Sequence, residues 1–205
     1  MSTTWDTLPT LTEITTAIQA LKAHNIQAEF FENRKEVYER VLALIPRGAQ
    51  VMTMTSETLR ALGLPDAIDD GTDYRSVRKL LAGMDPKTQK QEMNKLGMAP
   101  EVAIGSIHAF TKDGHILIAS NTGSQIPAHL YGAGKVILVA GAHKLVDTTA
   151  KGIQRIYEYS LPLESERAKK AYGVAGSAVN KLAIINHENE PDRIHFLILN
   201  EVIGF

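Results

Sequence analysis

The chain has 205 residues, 44% of them hydrophobic and 22% charged, a balance suited to one globular unit with a real core, or at most two small ones. Its 22 Lys and Arg against 23 Asp and Glu leave a formal net charge of -1, so no long-range field gathers nucleic acid or anionic membrane. The absence of cysteine removes disulfides, thiolate metal sites, cysteine-ligated iron-sulfur clusters and cysteine nucleophiles, and any chemistry has to use oxygen, nitrogen or backbone groups.

Met1 to Pro9 shows no basic patch followed by an apolar run, and apolar runs such as Val136 to Ala140 are far too short to span a bilayer. The expected compartment is the cytoplasm. Leu11, Ile14, Ala17, Ile18 and Leu21 recur at helical spacing, with Thr10 or Thr12 as cap, and predict an amphipathic first helix. Trp5 is expected to anchor the N-terminal segment by packing. Gln27 to Phe31 has the composition of a strand. Val37, Val41, Leu44 and Ile45 then mark a second helix, closed by the Pro46-Arg47-Gly48 turn. Val51 to Met54 reads as a short buried strand, and Thr55-Ser56-Glu57 opens a helix that ends near Gly63. Alternation of this kind favours a parallel sheet covered by helices.

Asp66, Asp69, Asp70 and Asp73 crowd around Gly71 without apolar period, which predicts a solvated surface loop. The alternate-ligand spacing and distal glutamate of a calcium loop are missing. Asp85-Pro86 has the chemistry of a helix start and Gly97 of a stop, with only Met93 and Leu96 as apolar face. A mobile surface helix there would suit a lid over a crevice. Val102 to Ile104 is a strand. His108 to Thr111 and Ile116 to Ala119 form a hairpin across Lys112-Asp113-Gly114. Lys135 to Ala140 is a buried strand, Thr148 to Tyr159 a helix with Ile153, Ile156 and Tyr157 inward, and Leu163 to Tyr172 a further helix. Leu182 to Ile185 and Ile194 to Leu199 close the sheet. With no repeat, low-complexity tract or linker, the chain reads as one three-layer domain.

Three strands run into junctions rich in small polar residues: Val51 to Met54 into Thr55-Ser56, Ile116 to Ala119 into Thr122-Gly123-Ser124, and Lys135 to Ala140 into Gly141-Ala142-His143-Lys144. Ligand crevices of α/β sheets lie beyond the carboxyl ends of strands, so the three could share one crevice. In the second junction, Gly123 would let a ligand approach the backbone, and free NH groups of a helix start favour a phosphate or carboxylate. The purely structural reading is a capping box of Thr122 with Gln125. His143 could donate to an anion or act as general base, or simply hydrogen-bond backbone. Lys144 could supply charge to the same anion or be an ordinary exposed lysine. Glu201, after the last strand, could face the crevice, pair with Arg193 or cap a turn.

Four of the seven histidines, His108, His115, His129 and His143, fall in one stretch, yet none of these has the i, i+4 spacing or carboxylate-flanked motif of a zinc site. No metal is expected. Gly-x-Gly-x-x-Gly, Walker and Gly-x-Ser-x-Gly motifs are absent, which argues against the familiar dinucleotide, nucleoside triphosphate and serine-hydrolase classes. No cofactor is expected.

Gly105-Ser106-Ile107-His108-Ala109-Phe110-Thr111-Lys112-Asp113-Gly114, followed by Ala119-Ser120-Asn121-Thr122-Gly123-Ser124-Gln125-Ile126-Pro127, resembles the signature of the LUD-domain family, the lactate-utilisation proteins. Val139 to Val146, Ser160 to Glu164 with Arg167, Ala171-Tyr172-Gly173, Asn180-Lys181-Leu182 and Asn200 to Phe205 are similar to the same family in the same order. Upstream, Ser56-Glu57-Thr58-Leu59 with Gly63-Leu64 resembles its shorter N-terminal motif, so the resemblance spans residues 51–205. It implies an α/β fold like that of glucosamine-phosphate deaminase, ribose-phosphate isomerase and coenzyme A transferases: a three-layer α/β/α sandwich with a mostly parallel, mixed sheet and its site at strand carboxyl ends. Residues 1–205 would then form one LUD domain, with 1–48 as its helix-strand-helix portion.

The family's members sit in operons for lactate oxidation alongside iron-sulfur and oxidoreductase-like partners, which the resemblance implies as possible partner proteins here. Homo-oligomer formation is left open. Some members carry a cysteine cluster after the region matching Ala171-Tyr172-Gly173, whereas Val174-Ala175-Gly176-Ser177 has none. Other relatives differ from this chain at Ser124-Gln125 and at His143. The leading expectation is a protein that binds a small anionic metabolite, such as a hydroxy or keto acid or a sugar phosphate, on NH groups of Thr122, Gly123 and Ser124. Ser56 would donate and Lys144 would add charge. The alternatives are a phosphosugar- or acyl-transfer-type enzyme using Glu201 and His143, and a non-catalytic scaffold for an oxidoreductase complex.

Overall fold

The computed structural model describes residues 5–205; residues 1–4 of the Met1 to Pro9 segment lie outside the described residues. Helix α1 (Leu11–Ala23) starts at a capping box in which Thr10 and Glu13 satisfy each other's backbone NH groups. It is followed by β1 (Gln27–Phe31), α2 (Arg34–Leu44), β2 (Gln50–Thr53) and α3 (Glu57–Ala61), the order read from hydrophobic period. Next come β3 (Arg75–Ser76), α4 (Val77–Ala82), α5 (Lys90–Met98) and β4 (Val102–Gly105). The second half holds β5 (Ala109–Thr111), β6 (Ile116–Ser120), β7 (Lys135–Gly141), β8 (Leu145–Val146), α6 (Thr149–Arg155), α7 (Leu161–Tyr172), β9 (Lys181–Ile185) and β10 (Ile194–Leu199).

The α/β fold is as expected, and its strands divide between two sheets. The larger is a six-stranded sheet in the order β1-β10-β7-β4-β2-β3, with every neighbouring pair parallel. The smaller has the order β8-β5-β6-β9 and is mixed, built on the β5–β6 hairpin. Leu182 to Ile185 and Ile194 to Leu199 therefore do not close one sheet together: β9 edges the small sheet and β10 lies inside the large one.

Core packing explains the layers. On one face of the parallel sheet, Val51, Ile104, Ile137, Val139, Leu197 and Leu199 meet Val37 and Val41 of α2 and Leu59 of α3. On the other, Ala103, Val136, Leu138, Phe196 and Ile198 meet α1 through Ile14, Ala17 and Leu21, and the small sheet through Phe110, Ile116 and Ile118. The small sheet's outer side, Ala109, Leu117 and Ala119, is covered by Ile153 and Ile156, and Trp5 packs there as expected.

Three local expectations are corrected. The acidic segment forms a π-helical turn over Asp66–Asp70, and Asp69 is tied into the fold by Thr53 Oγ1 at 2.5 Å and Ser76 Oγ at 2.6 Å. Asp85 caps a preceding turn through Lys87 N, so the helix itself begins at Lys90. Tyr157 is half exposed because Ile156–Ser160 widens into a π-helical turn, rotating the side chains away from straight α-helical phase. No helix among the described residues is long and apolar enough to cross a membrane.

Candidate functional site

Parallel alignment puts the ends of β2 and β4 side by side, and the end of β6 lies opposite them across the seam between the sheets. A cavity of about 500 Å³ occupies this position, within the usual range of small-molecule sites. Met54 to Thr58 line it after β2, Ser106 to His108 after β4, and Ala119 to Thr122 with Ser124 and Gln125 after β6. Met52 of β2, Arg78 of α4, Glu164, Arg167, Ala168 and Tyr172 of α7, the following Val174, Gly176 and Ser177, and Lys144 and Phe205 complete the wall. All three predicted junctions thus contribute.

Lys144 is the deepest charged group. It is 1% exposed, and its Nζ donates to the oxygens of Ile107 at 2.9 Å and Phe205 at 3.0 Å. The hydroxyls of Ser106 and Thr58 stand 3.3 and 3.5 Å away. Among the described residues it forms no ion pair with an acidic side chain. Burial, and secondarily the charge of Arg155, push its pKa well below the ordinary lysine value. The Phe205 segment reaches this floor through Gly204, whose φ is +64° and where any Cβ would overlap the Thr58 hydroxyl; only glycine satisfies both conditions.

Arg78 is the second cation. Its Nε donates to Thr53 O at 2.6 Å and its Nη2 to Thr55 Oγ1, and among the described residues no carboxylate pairs with it. Arg167, in contrast, is bidentate on Glu164 at 2.7 Å through each nitrogen, which raises its pKa and spends its charge. His108 is held neutral by burial, its pKa pushed down to about 3. The Ala119 amide donates to its Nδ1 at 3.1 Å, which leaves the proton on Nε2.

Ser56, Thr122, Ser124 and Lys144 line the cavity together. Ser56 Oγ accepts from Leu59 N at 3.3 Å as the cap of α3, which leaves its O–H free to donate. The Thr122 loop differs from expectation. Gly123 N donates to Ser120 Oγ at 2.9 Å and Ser124 N to Thr122 Oγ1 at 3.3 Å, so the backbone donors are already satisfied by neighbouring hydroxyls. Gln125 donates to Ala119 O at 3.0 Å instead of completing a capping box. What this loop offers a ligand is side-chain oxygen. Gly123 itself turns the chain at φ +85° with Lys181 against it.

Glu201 and His143 do not face the cavity. The Glu201 carboxylate is bound by the Arg34 guanidinium through both oxygens, which lowers its pKa. The predicted partner Arg193 pairs with Glu188 instead. The His143 ring is buried beside Gly141 and the Glu201 main chain, edge-on to Tyr159 at 6.4 Å. It lines a separate depression with Trp5 and Lys112. Burial first, then Lys144 and Arg155, push its pKa down to about 3. Consecutive residues on a tight 3-10 turn, Ala142–Lys144, diverge in direction, and the acid-base pair required by acyl-transfer or phosphosugar chemistry does not assemble. The Lys90–Met98 helix lines no part of the cavity either; Tyr172, Val174, Gly176 and Ser177 do. Among the described residues, no group of three or more His, Asp or Glu side chains gathers to hold a metal.

The LUD domain family matches residues 14–199, from within α1 to the end of β10. The chain belongs to the LUD domain family. The match takes in the helix-strand-helix portion as well as the later motifs. In fold this LUD domain is similar to the crystal structure of a DUF162 family protein from Deinococcus radiodurans, with a TM-score of 0.59 over 95% of this chain and 100% of that chain, at 10% sequence identity. A slighter likeness, TM-score 0.36 at 12% identity, links 58% of the chain to 44% of eIF2B beta from Chaetomium thermophilum. None of the curated proteins is similar enough in sequence to match.

Within the LUD domain, Ser106 and His108 belong to the stretch whose motif drew attention to the family, although the sequence singled out neither as a floor residue. Arg78 lay in no motif. Its one sequence signal is position: a basic residue two places after a serine that caps a helix, Ser76.

Proposed function

We propose that this LUD-domain protein binds a small anionic metabolite, a hydroxy or keto acid or a sugar phosphate, in the cavity at the strand carboxyl ends. The observation that carries this reading is Lys144: a buried amine at a cavity floor whose cationic form has no acidic side chain to neutralise it. Burying such a group is expensive, and an incoming anion stabilises its charged form. Arg78 gives a second, permanent positive group on the wall, and Ser56, Thr122 and Ser124 supply hydroxyls. The family resemblance sets the context as an accessory role in oxidation of lactate or a related carboxylate in the cytoplasm. With no cysteine in the chain, electron transfer would belong to an oxidoreductase or iron-sulfur partner.

Thermal unfolding with lactate, pyruvate, ribose 5-phosphate and coenzyme A esters tests the reading. A ligand present at a hundred times its Kd stabilises by about 2.7 kcal/mol. For a chain of this size that raises the midpoint by roughly 5–10 °C. Arg78→Gln and Lys144→Met should each abolish most of the shift. No stabilisation by any of these compounds at millimolar concentration would sink the proposal.

A further inference from the structure

The oxygens around Lys144 accommodate both the ammonium and the neutral amine. Its two short contacts, Ile107 O at 2.9 Å and Phe205 O at 3.0 Å, are to oxygens that accept and together occupy two N–H bonds. The remaining neighbours, Ser106 Oγ at 3.3 Å and Thr58 Oγ1 at 3.5 Å, accept from an ammonium, and the Ser106 hydroxyl, whose proton otherwise goes to Thr58 Oγ1 at 3.2 Å, can turn it toward Nζ when the amine is neutral. A neutral amine has two N–H bonds and one lone pair. The set satisfies it fully, with no acidic side chain required. Nucleophilic lysines are desolvated in pockets or placed beside another cation, and Lys144 has both features, with the buried Arg155 as the neighbouring charge.

We propose that Lys144 is a covalent attachment site, its Nζ forming an imine with a small carbonyl compound whose anionic end rests on Arg78. This deepens the anion-binding reading and rests on it. In the step, the Nζ lone pair forms a bond to the carbonyl carbon while the C=O π pair moves onto oxygen. One amine proton passes to that oxygen, giving a carbinolamine. The hydroxyl then leaves with the second amine proton as water, and a C=N bond remains. Nothing is oxidised or reduced, and the only co-reactant is the carbonyl compound. Ser106 and Thr58 are placed to relay the protons, and the protonated Nε2 of His108 is a further donor in the same wall.

The experiment is borohydride trapping of the intact protein with glyoxylate, pyruvate or ribose 5-phosphate, followed by mass spectrometry and peptide mapping. Reduction of an imine adds the mass of the carbonyl compound less one oxygen atom. The expected result is one stoichiometric adduct, mapped to the peptide holding Lys144. It should be absent in Lys144→Met and Lys144→Arg, and at least ten-fold slower to form in Arg78→Gln. The oxo acids and the sugar phosphate separate a carboxylate-bearing substrate from a phosphate-bearing one. Adducts scattered over surface lysines overturn the inference. So does a compound that binds by calorimetry yet leaves Lys144 unmodified after borohydride, and in that case anion binding stands. If no compound binds at all, both fall together.

Discussion

Lys144 pays for its position, and the cost has a measurable sign. The folded-state pKa lies below that of an unfolded lysine, about 10.4, so between the two the unfolded chain holds a proton that the native chain lacks. Stability therefore rises with pH through that window. Lys144→Met removes the proton cost at neutral pH and gives up hydrogen bonds of about 1 kcal/mol each to oxygens that line the cavity. The expected outcome is a higher thermal midpoint than the parent at pH 7, an advantage that narrows as pH approaches 10. A Met variant that is less stable by the same amount at both pH values would refute this account. Much of this residue's role was hidden from sequence: its place after a buried strand was legible, whereas its direction, opposite to that of His143, depends on a turn of three residues. The partner of Glu201 was hidden for a related reason, because Arg34 is distant in sequence.

At the scale of elements, β2, the Asp66–Asp70 turn and α4 are joined by one carboxyl group. Asp69 accepts from Thr53 and Ser76, and Ser76 Oγ in turn accepts from Lys79 N at 3.2 Å to cap α4, the helix that carries Arg78. Asp69→Ala removes two short hydrogen bonds, one to the fully buried Thr53, and should cost about 2–4 kcal/mol. The midpoint should fall by roughly 5–15 °C, with weaker ligand binding because Arg78 loses its support. A midpoint within a degree of the parent would show that Asp69 does not hold this corner. The sequence revealed α1, β1, α2 and the β5–β6 hairpin because period and turn chemistry are local signals. It could not show the split into two sheets: β7, β6 and β10 are apolar on both faces, and that pattern does not say which neighbour a strand will choose. In the acidic segment Asp66, Asp70 and Asp73 are exposed as expected, and only the tie at Asp69 was hidden, since its donors lie on other elements.

For the whole molecule, four histidines contribute to the response to acid, His195 among them, its pKa also lowered chiefly by burial. Burial pushes His108 and His143 down to about 3 and His129 to about 4, all below the unfolded value of about 6.5. Below pH 6.5 the unfolded state binds more protons than the native state, so the full stability is present above that pH and is lost as pH falls toward 4. Each histidine contributes a slope of up to about 1.4 kcal/mol per pH unit. Urea midpoints measured from pH 7.5 to pH 4.5 should fall steeply, and His129→Gln should flatten the decline by about a quarter. A midpoint unchanged down to pH 5 would contradict this. The cavity gives the same assembly a second character. Its walls come from both the parallel and the small sheet, so an occupant is a bolt across a joint, and tightening it couples two packing units already linked by packed side chains and by the short β4–β5 and β7–β8 connections. Affinity at the site then adds to the stability of the fold by linkage, and the joint between the sheets is where that gain is felt.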